Sequence, residues 1–201
     1  MQKSLVNTKG VHIFSVCKAI SDEALQIQGW IEDIRKRRES LKKSNVRDAS
    51  LMRQLWDEYN YCINMLHRRF KIREYVIENI TTTEGRTALA DVLAGVGTYT
   101  GEINYTALGT NNAAPAVTDV QLGTETYRKA VSSGTKLGTT AYIETFFTAA
   151  EVSGTFEEYG NFIDGTGSAN SGQIFNRFTQ TVTKSATETL NVQSQITIND
   201  A

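Results

Sequence analysis

Apolar positions follow two different rhythms along this chain. "VHIFSV" (Val11 to Val16) is a short β-branched run that suits a strand. Ser21 then precedes "DEALQIQGW" with Asp22 and Glu23 in the first turn, which is a helix start. Ile27, Trp30, Ile31, Ile34 and Leu41 recur on one helical face. The period pauses at "KKSNVRD" and resumes from Ser50 through Leu51, Leu55, Trp56, Tyr59, Cys62, Ile63, Leu66 and Phe70. Two amphipathic helices joined by a short polar turn predict an antiparallel hairpin. Its stripe carries Trp30, Ile34, Leu55, Trp56, Tyr59 and Ile63. Two helices alone bury little, so that stripe is expected to be an assembly interface with another subunit or partner.

One further helix is expected, capped by Thr83 and stopped by Gly95, over "EGRTALADVLAG". Beyond it the rhythm changes to period two. "GEINYTAL", "TETYRKAVSS", "TAYIETFFTA", "GTFEEYGNFI", "GQIFNRFTQTVT" and "TLNVQSQITI" read as strands separated by turn-forming residues. In the last of these, Leu190, Val192, Ser194, Ile196 and Ile198 face Asn191, Gln193, Gln195 and Thr197, a wet side of amides and hydroxyls. The predicted fold class is therefore α+β. A short N-terminal strand and helical hairpin precede one leading helix and an antiparallel, jelly-roll-like β-sandwich.

Charge sharpens the division. Residues 1–78 hold 15 Lys and Arg against 10 Asp and Glu, a balance of +5, and residues 79–201 hold 6 against 12, a balance of −6. Thirteen of the 15 glycines also lie after residue 78. The expected domains are thus a helical attachment and oligomerisation region over 1–78 and a sandwich over 79–201. "RKRRE" (Arg35 to Glu39) with Lys42 and Lys43 raises nucleic acid, but acids are interleaved. Pairs such as Glu32 with Lys36 and Asp33 with Arg37 make a solvated helix face the favoured reading.

Candidate chemistry is sparse. His12 and His67 have no triad partners at motif spacing, and there is no GxSxG. Glu157 and Glu158 are adjacent on a strand and point apart, which does not suit a glycosidase pair. Cys17 and Cys62 lack metal-ligand spacing and read as buried free thiols in a reducing cytosol. "DGTGSANSG" (Asp164 to Gly172) lacks the acidic positions of an EF-hand loop and the GK[ST] of a P-loop, so a hairpin turn is favoured. The apolar part of the first 18 residues is too short for a signal peptide. No apolar run approaches the roughly 18 residues that span a bilayer, so no membrane insertion is expected. No enzyme activity, cofactor or metal is expected.

Four ordered pieces carry a resemblance: the helix "GRTALADVLAG", then "INYTALGTNNAAPAVTDVQLGTETYRKAV", then "GTFEEYGNF", then "TKSATETLNVQSQITI". Together they span most of residues 81–199 and resemble a domain of tailed-bacteriophage virion proteins, of tail-fibre, baseplate or head-fibre type. Asn111 and Asn112 depart from the small Gly-Thr run of that pattern, and Gln195 stands where an aromatic is common. The resemblance implies a structural component of a virion, assembled in the host cytoplasm with other virion proteins. It also implies a homo-oligomer, with a trimer as the first expectation. The alternative is a receptor- or glycan-binding adhesin using sandwich-end loops, with Asn111, Asn112, Asp164 and Asn170 as candidate ligand residues.

Overall fold

A computed structural model describes residues 6–19, 21–44 and 48–200, with side chains described between Gly10 and Ile198. The extreme N-terminus (1–5) and the middle of the polar pause (45–47) lie outside the described residues. The elements run β1 (Val6–Lys18), α1 (Asp22–Lys43), α2 (Ala49–Phe70), β2 (Lys71–Glu78), β3 (Ile80–Thr81) and α3 (Thr83–Ala94). They continue with β4 (Ile103–Gly109), β5 (Glu125–Ala130), β6 (Ser133–Leu137), β7 (Thr140–Phe147), β8 (Gly154–Ile163), β9 (Gln173–Lys184) and β10 (Glu188–Asp200).

The strands form two five-stranded antiparallel sheets. Sheet I has the order β2-β1-β10-β7-β6 and sheet II the order β3-β9-β8-β4-β5. The fold is the expected α+β sandwich with a helical hairpin and one leading helix. The expected short strand is the middle of a longer one, because β1 pairs with β10 from Val6↔Asp200 to Lys18↔Glu188. β2 then lines up outside β1, from Val11↔Glu78 to Cys17↔Lys71. The first 78 residues therefore supply two strands of sheet I, and the expected border at 78/79 is crossed by the longest strand pair. That border marks the passage of the chain from sheet I to sheet II.

The faces follow from side-chain alternation. Phe14, Val16, Leu190 and Val192 of sheet I meet Leu108, Tyr159 and Phe178 of sheet II in the central core. Each such large side chain contributes about 1.5–3 kcal/mol on burial. On the outer face of sheet I, Cys17 and Phe146 pack under Ile27, Ile31, Leu55, Tyr59 and Leu66 of the hairpin. Ser21 caps α1 by accepting the Ala24 N–H, and Asp48 caps α2 through the N–H groups of Ser50 and Leu51.

The cap of α3 is Thr82, one residue before the expected Thr83. The Thr82 hydroxyl accepts the Gly85 N–H and also donates to the Ile174 carbonyl at 2.8 Å. That second bond to β9 ties the helix start to sheet II and selects Thr82. Gly95 ends the helix in the left-handed region, φ 68°, as expected. Ala88 of α3 is fully buried in a cluster with Ile163, Phe175 and Ile196.

Candidate functional site

The long connection between β4 and β5, residues 110–124, lies over the outer face of sheet II. Leu122 anchors it, 1% exposed, among Ala107, Phe162 and Ile174. Beside this apolar anchor sits a buried charge pair. Arg177 on β9 and Glu158 on β8 are diagonal neighbours, since Arg177 lies opposite Gly160 and Glu158 opposite Thr179. A register shift between Phe156 and Glu158 breaks strict alternation, so Phe156 and Tyr159 face the core while Glu158 meets the loop.

Glu158 has no exposed surface. Its Oε1 accepts the N–H of Thr124 at 2.6 Å and of Asn111 at 3.3 Å, and its Oε2 accepts that of Gly123 at 2.9 Å. Arg177 completes the second oxygen through Nε at 3.0 Å and Nη2 at 2.9 Å. The remaining guanidinium protons reach Asp119 Oδ2 at 3.0 Å and the Ala113 carbonyl at 3.0 Å. Asp119 in turn accepts the Ala116 N–H at 2.8 Å. Two glycines make room: a Cβ at Gly109 would strike the Glu158 carboxylate, and one at Gly123 would strike the Asn111 side chain. Every oxygen and nitrogen of the central pair is occupied by the protein itself. The arrangement holds the loop's backbone; it has no free lone pair with which to take a proton from a ligand.

Two other polar networks are enclosed. Between the sheets, His12 stacks on Phe178 at 3.5 Å and its Nδ1 lies 2.7 Å from the Ser194 hydroxyl, which also accepts from Asn161. Burial lowers the His12 pKa from 6.5 to about 3, so the imidazole is neutral near pH 7. On the outer face of sheet I, Glu144 accepts from Asn191 at 3.1 Å and Gln193 at 2.9 Å, and the Tyr59 hydroxyl donates to Asn191. Burial pushes the Glu144 carboxyl up, the amide donors opposing it. Cys17 and Cys62 are buried free thiols, and burial pushes Cys17 up to about 12.

The expected assembly stripe is filled within the chain. Ile34, Leu55, Tyr59 and Ile63 are buried in the cluster between the hairpin and sheet I. Trp56 is half-buried against Tyr142, under the Arg53 guanidinium, and Trp30 alone of the six is exposed, at 42%. The reason is the side of β10 taken as wet: Asn191 and Gln193 bind Glu144 there, and Tyr59 of α2 donates to Asn191. Most of the basic cluster is likewise spent internally, with Lys43 left exposed. Arg35 pairs with Glu32 and Glu39, Arg37 with Glu58 of α2, and Lys42 with Glu102. Asp33 meets Lys36 at 3.8 Å in place of Arg37, and Arg38 is buried on the Val131 carbonyl. His67 is half-buried on α2, its pKa lowered by burial to about 4.

The candidate loop residues have local duties. Asn111 Oδ1 accepts the Ala113 N–H, while Asn112 is exposed. Asp164 and Asn170 hold φ values of 50° and 55°, which Asp and Asn tolerate in turns. Asp164 accepts from the Thr100 N–H and hydroxyl at 2.6 Å each, and the Asn170 N–H donates to Glu125. Among the described residues no hydrogen bond joins the two loops. Sequence reasoning missed the Glu158–Arg177 pair. Its signal was an opposite charge in each of two neighbouring strands, Glu158 beside Tyr159 in β8 and Arg177 beside Phe178 in β9.

Among the described residues no group of three or more His, Cys, Asp or Glu side chains is placed to hold a metal ion, and no helix is long and apolar enough to cross a membrane. Comparison with protein-family models, with curated proteins and with solved structures finds no match for this chain.

Proposed function

We propose that this chain is a non-catalytic structural component of a bacteriophage virion, assembled with other virion proteins in the host cytoplasm. The observation that carries the reading is the Glu158 clamp. Glu158 belongs to "GTFEEYGNF", and the three N–H groups that it holds, at Asn111, Gly123 and Thr124, belong to the preceding motif. Segments that resemble the virion pattern separately thus fold as one unit around one buried carboxylate. The chemistry of that unit supports a scaffold: its charges are used to fix backbone. The hairpin's part in this reading is to thicken sheet I, and attachment to the particle falls to surfaces other than its apolar stripe. The adhesin alternative rests on loop residues of which Asn111, Asp164 and Asn170 serve their own turns.

Immunogold labelling of gradient-purified particles tests the proposal. An antibody against the chain should decorate intact particles at a fixed position. Label that stays in the particle-free fraction, with bare particles, contradicts it.

A further inference from the structure

A groove of about 730 Å³ runs between α3 and the neighbouring ends of β1, β2 and β10. Five of the large apolar side chains exposed on the molecule line it: Ile80, Val92, Leu93, Val117 and Ile198. Leu93 is 90% exposed, so it stands as a knob on the rim of the hollow. Two charges of opposite sign, Glu78 and Arg86, line the same groove. Both are exposed, and among the described residues neither has an ion-pair partner. The Arg86 guanidinium reaches only the Thr83 hydroxyl, at 3.3 Å.

We propose that this groove is a homodimer interface in which α3 of a second copy, related by a two-fold axis, lies antiparallel to α3 of the first. A two-fold contact uses the same patch on both copies, so the patch must be complementary to itself. This one offers a knob beside a hollow, and a cation beside an anion. Leu93 of each copy enters the groove of the other, and Arg86 of each meets Glu78 of the other. Thr83, Thr87, Ala90 and Ala94 are the other exposed α3 residues and are small enough for close helix approach. The helix polarity agrees. No basic residue stands in the last turn of α3, and antiparallel packing brings Arg86 of one copy to the carboxy-terminal end of the other helix. An exposed apolar cluster of this kind is what a contact surface leaves uncovered in a single chain. The proposal stands independently of the virion reading.

Sedimentation of the full chain over a roughly hundredfold dilution series tests it, since a reversible dimer responds to concentration by mass action. The expected result is a monomer–dimer equilibrium. Leu93→Arg should raise the dissociation constant about a hundredfold while circular dichroism and urea unfolding stay as in the parent, because the side chain touches little of its own chain. Arg86→Glu and Glu78→Arg should each weaken the dimer about tenfold, and the double reversal should restore it. A monomer at every concentration overturns the proposal, as does a trimer. So does a dimer that Leu93→Arg leaves intact, or a double reversal as weak as the single ones.

Discussion

Arg177 Nη2 lies 2.9 Å from Glu158 Oε2, with the two side chains 4% and 0% exposed, on adjacent strands beneath a fifteen-residue connection. This pair is the hinge pin of the outer face of sheet II. Its oxygens and nitrogens hold the loop backbone at Asn111, Ala113, Gly123 and Thr124.

Removing one charge strands the other in a dry site. Glu158→Gln should therefore destabilise the fold by about 3–5 kcal/mol in urea unfolding. Amide exchange at Gly123 and Thr124 should accelerate more than at strand positions in sheet I. A loss below about 1 kcal/mol, with unchanged exchange, would show that the loop is held by Leu122 alone.

Acid should weaken the fold through its histidines. His12 has a folded pKa of about 3 against 6.5 for the free side chain, so between those values the unfolded chain binds more protons. Stability is then fully present above about pH 6.5 and falls as pH drops toward 3, at up to ~1.4 kcal/mol per pH unit for one site. His67, lowered by burial to about 4, adds a smaller change of the same sign over its narrower window. Glu144 opposes both: its raised folded pKa means that stability is gained as pH falls through that value toward 4.5. Urea midpoints measured from pH 7 to 4 should flatten in His12→Gln and steepen in Glu144→Gln. Parallel curves for parent and His12→Gln would refute the assignment.

Because the hairpin shares a buried cluster with sheet I, it should unfold together with the sandwich. Leu55→Ala, which opens a cavity against sheet I, should cost about 2–5 kcal/mol and shift the whole unfolding transition. Tyr59→Phe removes only the hydroxyl bond to Asn191 and should cost about 1 kcal/mol. If tryptophan fluorescence from the hairpin and circular dichroism from the strands unfolded at different urea concentrations, the two parts would be separate units.

Helix α3 is seated by the absence of a side chain. A Cβ at Gly85 would collide with the backbone of Phe175 on β9, which cannot swing aside as a side chain would. Gly85→Ala should cost about 1–3 kcal/mol despite its better helix propensity. Gly29→Ala on α1, where a Cβ meets nothing within 4 Å, should instead be neutral or stabilising by up to about 1 kcal/mol. Thermal melts of the two variants give the comparison.

Much of the architecture was legible because hydrophobic period alone determines it. The three helices, the Ser21 cap, the Gly95 stop and seven of the strands follow from spacing and turn residues. β2 escaped because "KIREYVIE" begins directly after α2 without a turn, and four of its eight residues are charged on an edge strand. The role of the amide face of β10 escaped for another reason. Asn191 and Gln193 look solvated by type, yet they are buried or half-buried because Glu144 on β7 gives them a partner. That long-range pairing also explains the hairpin: its stripe packs on Cys17 of nearby β1 and on Phe146 of β7, and Tyr59 reaches Asn191 of β10. The Glu158–Arg177 pair was readable only as two charges interrupting two strands, and their meeting depends on register.

The virion assignment is the central claim, and copy number tests it most directly. Quantitative mass spectrometry of gradient-purified particles should find this chain at a fixed integer ratio to the other particle proteins, unchanged by a high-salt wash. A chain that is absent from the particles, or that varies between preparations and washes away, would contradict the account.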